Sequence, residues 1–190
     1  RNWLAMNNLG VAYNSLGQYQ QAIGYFREVL RIRPDYAKAW NNLGDSCTRL
    51  GQGQQAIDHF QKALQIKPNF AEAWYNLGVI YGMLGQYQEA IESFQKSLRI
   101  KPDLTNAWNN LGTIYANHGR YQQAIVYFQE ALRIKPDIAE VWYNLGVIYS
   151  TLGQYQQAIG CFMEALRIKP DYVAARNDLI TANVKLRQSL

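Results

Sequence analysis

Residue types that carry catalytic or metal chemistry are few in this chain of 190 residues. It contains two histidines, His59 and His118, and two cysteines, Cys47 and Cys161. Neither histidine has a cysteine or carboxylate neighbour at a metal-ligand spacing, and the cysteines form no paired motif. We therefore predict that the chain is not an enzyme and uses no cofactor or metal. We expect both cysteines to be buried packing residues.

One segment formally matches a dinucleotide-binding fingerprint, Gly51-Gln52-Gly53-Gln54-Gln55-Ala56. That fingerprint binds a pyrophosphate only where it joins a strand to a helix. Segments 17–22 and 153–158 have the same pattern with a tyrosine in place of the second glycine. The segment is therefore interpreted as an ordinary turn between two helices.

Carboxamide side chains are the remaining candidates for binding chemistry. An asparagine amide offers two donors and one acceptor, so it can hold both the N–H and the C=O of a peptide. One asparagine recurs at intervals of 34 residues. We call the following five residues the asparagine ladder: Asn8, Asn42, Asn76, Asn110 and Asn144.

The same period runs through the rest of the chain. The prolines fall 34 residues apart, and leucine, glycine, alanine and phenylalanine recur in the same register. A strict period of this length indicates a repeat array. We treat 1–190 as a single domain with repeats at 3–36, 37–70, 71–104, 105–138 and 139–172, and a capping helix at 173–190.

Each repeat has the pattern of two amphipathic helices joined by a tight turn. In repeat 71–104, Trp74, Leu77 and Tyr81 recur at helical spacing, Gly85 interrupts the pattern, and apolar residues including Phe94 resume it. One helix pair cannot bury so much aromatic surface. Stacked pairs can, so the pattern predicts an array.

Residues near the prolines predict where the helices begin and end. Asn69 with Glu72, and Asp137 with Glu140, have capping-box spacing, so we expect the first helices to start there. Arg99 comes near the end of the second helix, where the helix dipole favours a cation.

This pattern resembles the tetratricopeptide repeat. The residues that carry the resemblance are Trp74-x-x-Leu77-Gly78-x-x-Tyr81, Ala90-x-x-x-Phe94 and Pro102. The resemblance covers 3–172 in five copies. It implies an all-α fold, a right-handed α-solenoid superhelix of antiparallel helix pairs with the first helices along a concave groove. It also implies a scaffold that binds protein or peptide partners.

Helical geometry places the second, fifth, sixth, ninth, twelfth and thirteenth residues of each repeat on the groove side. The sixth is the asparagine ladder, which is similar to that of the superhelical arm of O-linked N-acetylglucosamine transferases, where asparagines hold an extended substrate. The alternative to peptide binding is that the ladder amides bond only to water or to neighbouring residues. For Asp45 and Arg49, the alternative is that they pair with each other on the helix surface and contact no ligand. The other predicted peptide contacts are Asn41, Tyr75, Asn109, Tyr143, Asp45 and Arg49.

Charge and hydropathy restrict the class of partner. The net charge is +5, but the groove side carries two basic and four acidic residues, so it offers no basic track for nucleic acid. No apolar run is long enough for a membrane span. The clamp that binds acidic chaperone C-termini needs Lys and Arg where the third repeat has Glu72 and Asn76.

Three functions follow as hypotheses. The first is a scaffold that captures a peptide or helix of a partner protein in the groove. The second is the substrate-recruiting arm of a larger glycosyltransferase, since the chain starts without Met and reads as part of a longer protein. The third is self-assembly into a homo-oligomer, with the exposed end helices stacking head to tail. Unpaired cysteines and the lack of a signal peptide favour the cytoplasm.

Overall fold

The computed structural model describes residues 2–189, and these form eleven α-helices. The odd-numbered helices α1 to α9 are the first helices of the five repeats, the even-numbered ones are the second helices, and α11 follows the last repeat. Their bounds are α1 Trp3–Ser15, α2 Tyr19–Ile32, α3 Ala37–Arg49, α4 Gly53–Ile66, α5 Ala71–Met83, α6 Tyr87–Ile100, α7 Thr105–Asn117, α8 Tyr121–Ile134, α9 Ala139–Thr151, α10 Tyr155–Ile168 and α11 Val173–Gln188.

The described residues fall into two compact units. The first ends at Pro102 and contains α1 to α6, and the second begins at Asp103 and contains α7 to α11. Within each unit, a first helix packs against the second helix of its own repeat, and the next first helix packs against that second helix. The core of each unit is thus built from helix pairs and from the contacts between successive pairs.

Close packing within a pair depends on a glycine that faces a phenylalanine. A Cβ at Gly78 of α5 would lie 2.8 Å from Cδ1 of Phe94 in α6. Phe94 is buried, as is the matching phenylalanine of every other repeat. The absence of a side chain at this place lets the ring lie directly on the helix backbone.

The turn inside each repeat needs a second kind of glycine. Gly85 has φ +75°, a left-handed conformation that costs residues with a Cβ. It lets the N–H of Gln86 donate to Tyr81 O at 2.9 Å, closing the end of α5. Glycines with similar φ end the other first helices, at Gly17, Gly51, Gly119 and Gly153.

A side-chain hydrogen bond fixes the loop between successive repeats. The indole Nε1 of Trp74 donates to Pro68 O at 2.9 Å, and equivalent bonds occur in the second and fifth repeats. In α11, Arg176 occupies the tryptophan place and donates to Pro170 O at 2.7 Å. The last helix therefore keeps the anchoring contact with a different side chain.

The predicted capping boxes at Asn69–Glu72 and Asp137–Glu140 are wrong. The N-cap residues are Phe70 and Ile138, and neither makes a side-chain cap bond. The Phe70 ring packs against the core of the first unit. The backbone N–H of Phe70 donates to Lys67 O at 3.2 Å. Packing of this partly buried side chain places the start of the helix at the next residue, Ala71.

Both cysteines are free and buried, which confirms the packing role expected for them. Residues 2–189 contain no cluster of three or more His, Cys, Asp or Glu side chains that could hold a metal ion. No helix in this part of the chain is both long enough and apolar enough to cross a membrane.

Candidate peptide-binding face

The asparagine ladder lies on the first helices of both units. In the first unit, Asn8 on α1 is exposed, whereas Asn42 on α3 and Asn76 on α5 are half-buried. In the second unit, Asn110 on α7 and Asn144 on α9 are half-buried. The residues thus occupy the same place in successive first helices of each unit, with different degrees of access.

Residues at the fifth place lie deeper than the ladder in the first unit. Asn7 and Asn41 are only 3% and 2% exposed. Asn76 Nδ2 donates to Asn41 Oδ1 at 3.1 Å, so the bond connects the first helices of successive repeats. The amide of Asn41 is therefore engaged between helices and holds a ladder residue in place.

Three amide atoms on these helices are covered by protein and have no hydrogen-bond partner among the described residues. They are Asn7 Oδ1 and Asn42 Nδ2 in the first unit and Asn109 Oδ1 in the second. An unpaired buried polar group costs about 1–3 kcal/mol, so each of these atoms has bonding capacity that the protein does not use.

A cavity of about 420 Å³ opens between α1 and α3 in the first unit. It brings together three of the residues predicted from the sequence, Asn42, Asp45 and Arg49. We call it the α1/α3 cavity. Its lining residues are Val11, Asn14, Ser15, Tyr19, Asn42, Asp45 and Arg49.

Charge in the α1/α3 cavity is mixed. Arg49 Nε lies 3.8 Å from Asp45 Oδ1, and the Arg49 side chain remains 61% exposed. Burial raises the pKa of the Asp45 carboxyl, and the charge of Arg49 opposes that shift. Asn14 Nδ2 donates to Asp45 Oδ2 at 3.4 Å and fixes the carboxylate from the neighbouring helix. The cavity therefore presents an accessible guanidinium beside a carboxylate held in position.

Sequence reasoning did not single out Asn14 or Tyr19 as binding residues. Asn14 is on the helix face that carries the ladder, but the matching places in later repeats hold Thr48, Gly82, Ala116 and Ser150. No periodic signal therefore marks it. Its Oδ1 accepts from Ser46 Oγ at 2.7 Å, which ties α1 to α3 beside the cavity.

Tyrosines at the fifth place are held by packing. In the second unit, the Tyr143 hydroxyl donates to Asp178 Oδ2 at 3.0 Å, and the Tyr143 ring lies 4.9 Å from that of Tyr172. Burial, aided by the bond to Asp178, raises the pKa of Tyr143 to about 12. In the first unit, the Tyr75 ring lies 5.7 Å from that of Phe94. Both rings are held by neighbouring residues of their own unit.

A known family matches this chain over almost its whole length. The model of the cilia and flagella-associated protein 70 C-terminal domain, a tetratricopeptide repeat family, matches residues 1–189. The chain belongs to this C-terminal domain family. Its helices form five tetratricopeptide repeats and a C-terminal helix, as the sequence predicts.

Solved tetratricopeptide structures have a similar fold. A crystal structure of MamA is 25% identical, covers 85% of this chain and 94% of its own, and has a TM-score of 0.77. MamA of Desulfovibrio magneticus RS-1 is 20% identical, with coverages of 90% and 97% and a TM-score of 0.79. YrrB, described as a TPR protein with an unusual peptide-binding site, is 24% identical, with coverages of 90% and 89% and a TM-score of 0.73. No curated protein matches this member of the C-terminal domain family.

Proposed function

We propose that this domain is a protein-interaction scaffold that captures an extended peptide segment along its first helices. The observation that carries the proposal is the α1/α3 cavity, in which Asn42, Asp45 and Arg49 lie together. Capture requires no catalytic group. It requires donors and acceptors on a surface that a peptide can reach, and the cavity provides both.

The chemistry of the cavity suits a peptide main chain. Arg49 supplies exposed donors, Asp45 supplies acceptors, and Asn42 has a donor without a partner among the described residues. A rotation of the Asn42 carboxamide toward the cavity would pair this donor with a ligand C=O. Such a bond would relieve the cost of the unpaired amide, and the gain would add to the binding free energy.

The second unit offers a rigid aromatic contact for the same purpose. Tyr143 is half-buried, and its hydroxyl is bonded to Asp178. A tyrosine fixed in this way offers contact area at a low entropic cost. Asn109 and Asn144 lie at the fifth and sixth places on adjacent first helices, and we propose that they continue the polar contacts in this unit.

A random library of phage-displayed peptides, selected against the purified domain, tests this proposal. Selected peptides are synthesised and titrated by calorimetry into the wild type and into Asn42→Ala, Arg49→Ala and Glu28→Gln variants. We expect the first two variants to weaken binding about tenfold, which corresponds to the loss of one charge-assisted or buried hydrogen bond.

The Glu28→Gln variant is the matched control. Glu28 is an exposed residue of α2 that pairs with Arg31 at 3.0 Å, outside the α1/α3 cavity. Its affinity should equal that of the wild type. Selected peptides that bind all four proteins equally, or a selection that yields no binder, would overturn the proposal.

Self-association is a second candidate, favoured by an apolar stripe on α1. Leu9 is 46% exposed, whereas the matching Leu43 on α3 is 1% exposed because α2 packs against that helix. The stripe has spacings of four, three and four, the pattern of a helix–helix seam with alternating small and large residues. Its residues are Ala5, Leu9, Ala12 and Leu16.

We propose that a second copy of the chain covers this stripe by antiparallel packing of α1 on α1. Light scattering after size exclusion should then show a concentration-dependent dimer. Leu9→Glu should abolish the dimer, while Leu84→Glu, at an exposed leucine after α5, should not. A monomer at all concentrations would rule out this candidate.

A further inference from the structure

One place on the second helices holds an aromatic ring in three repeats and a small side chain in two. In the first repeat, Tyr25 stacks on Tyr13 of the first helix, with centroids 5.2 Å apart and planes at 12°. The fourth repeat has the same arrangement, with Tyr127 and Tyr115 at 5.1 Å and 9°. The residues at this place, in order of repeat, are Tyr25, His59, Ser93, Tyr127 and Cys161.

The ring at this place also contacts the tryptophan of the first helix. Tyr127 lies 5.8 Å from Trp108, and His59 lies 5.5 Å from Trp40, as measured between ring centroids. A ring on the second helix therefore packs against the aromatic residues that the first helix presents beside it. The contact recurs with two ring chemistries, phenol and imidazole.

The two repeats with small residues contain cavities at this place. In the third repeat, a cavity of about 440 Å³ between α4, α5 and α6 includes Ser93 in its wall. In the fifth repeat, a cavity of about 660 Å³ between α8, α9 and α10 includes Cys161. We call the second one the α8–α10 cavity. Each cavity lies within a single unit, and their walls are formed by matching positions.

In the third repeat, the side chain of Lys96 lies over the ring of Trp74. Lys96 Nζ lies 4.4 Å from the ring centroid of Trp74. In the fifth repeat, the matching residue is Glu164, whose carboxylate pairs with Arg167 at 2.8 Å. Gly160 replaces Glu92 as well, which leaves more room at the cavity mouth.

The walls of the α8–α10 cavity are apolar and aromatic at their centre. Trp142, Leu145 and Tyr149 of α9 face Leu132 of α8 and Cys161 of α10. The charged residues in the wall, Arg133 and Glu164, are of opposite sign and pair with neighbours on their own helices. A neutral ring suits this lining better than a charged group, because burying a charge without a partner is costly.

We propose that the α8–α10 cavity binds an aromatic side chain, of the tyrosine or phenylalanine type, from a partner protein. The ring stacks on Trp142 and Tyr149, as Tyr127 packs against Trp108 and Tyr115 in the preceding repeat. The site includes residues of second helices and does not depend on the proposed peptide capture by the α1/α3 cavity.

N-acetyl-tyrosinamide is the probe for this site, with N-acetyl-leucinamide as the aliphatic comparison. Each repeat contains one tryptophan, so the indole N–H resonances report binding repeat by repeat in a nuclear magnetic resonance titration. We expect the tyrosine probe to shift the Trp142 resonance with a dissociation constant on the order of millimolar, as is usual for a ligand of this size.

Variants of the fifth repeat distinguish binding of the probe in the α8–α10 cavity from nonspecific binding to the protein surface. Cys161→Tyr supplies the ring from the chain itself and should reduce probe affinity about tenfold or more, whereas Cys161→Ser should bind as the wild type does. Gly160→Glu introduces the residue of the third repeat at a place where an added Cβ meets no atom within 4 Å, and it should also weaken binding. If Cys161→Tyr does not fold, the Gly160→Glu variant still tests the site.

The proposal is overturned if the leucine probe binds as well as the tyrosine probe. It is also overturned if folded Cys161→Tyr or Gly160→Glu retains full affinity.

Discussion

Asn76 donates a hydrogen bond from its side-chain Nδ2 to Oδ1 of Asn41, 3.1 Å away and 35 positions earlier in the chain. The same offset joins the Tyr143 hydroxyl to Asp178 in the second unit. An offset of one repeat plus one residue means that the fifth place of a repeat bonds to the sixth place of the next. These bonds orient the side chains of the candidate peptide-binding face before any ligand is present.

Removal of the Asn41 amide should therefore destabilise the first unit. Asn41→Ala leaves the half-buried Nδ2 of Asn76 without its acceptor, which costs about 1–2 kcal/mol in the free energy of unfolding. Asn7→Ala is the matched control, because Asn7 is equally buried but its Oδ1 has no partner among the described residues. Urea unfolding of both variants should show the larger loss for Asn41→Ala, and equal losses would contradict this account.

The hydrogen bond of Tyr143 predicts a loss of stability at alkaline pH. The pKa of Tyr143 rises from 10.0 to about 12 in the folded chain, through burial and the bond to Asp178. Between these values the unfolded chain binds fewer protons than the folded one at this site, so the free energy of unfolding falls as pH rises. Below pH 10 the contribution is constant. Unfolding by urea at a series of pH values measures this dependence.

Tyr143→Phe is the comparison that assigns this dependence to one residue. The variant lacks the titrating hydroxyl, so its stability should fall less steeply between pH 10 and about 12. Phenolate absorbance of the wild type minus that of the variant should titrate in the upper part of this range. A difference that titrates at pH 10 would show that Asp178 and burial do not protect the hydroxyl.

The sequence predicts the period and the turns because they depend on individual residue types. Pro68 follows the second helix of the second repeat, and Gly85 takes the left-handed φ at the place predicted for the turn. The start of α5 at Ala71, after the N-cap Phe70, was not predictable from local pattern, since it depends on packing of the partly buried Phe70 ring against the core. The burial of Asn41 was likewise not predictable from local pattern, because it depends on how closely α3 and α5 approach each other.

The cavities beside Ser93 and Cys161 were also not predictable from the sequence pattern alone. The residues that open them, Ser93 and Cys161, differ from Tyr25 and Tyr127 at the same place, so comparison of the repeats contains the signal. Recognising it requires knowledge that the ring packs on the first helix, which only the structure provides.

The bond from Arg176 to Pro170 O predicts how α11 is held to the last repeat. Arg176→Ala should destabilise this helix by about 1 kcal/mol through loss of the hydrogen bond, with faster amide hydrogen exchange in 173–188. Arg176→Trp should retain slow exchange, since the indole of Trp142 makes the equivalent bond to Pro136 O at 2.8 Å. Unchanged exchange in the alanine variant would mean that packing alone holds α11.

Two glycines of α5 provide a matched test of close helix packing. A Cβ at Gly78 would lie 2.8 Å from Phe94 Cδ1, and that ring is buried, so Gly78→Ala forces the two helices of the pair apart. Overpacking of this kind costs about 1–3 kcal/mol. A Cβ at Gly82 meets no atom within 4 Å, so Gly82→Ala should be neutral or stabilise by about 0.5–1 kcal/mol through better helix propensity.

Thermal unfolding followed by circular dichroism measures both effects on the same helix. The melting temperature should fall for Gly78→Ala and stay level or rise for Gly82→Ala, so the two variants should differ in sign. Gly78→Ala with Phe94→Leu is the informative combination, because a smaller side chain opposite the new methyl group should restore part of the loss. No restoration would mean that the cost arises elsewhere in the pair, and the recurrence of glycine opposite phenylalanine in all five repeats would need a different physical cause.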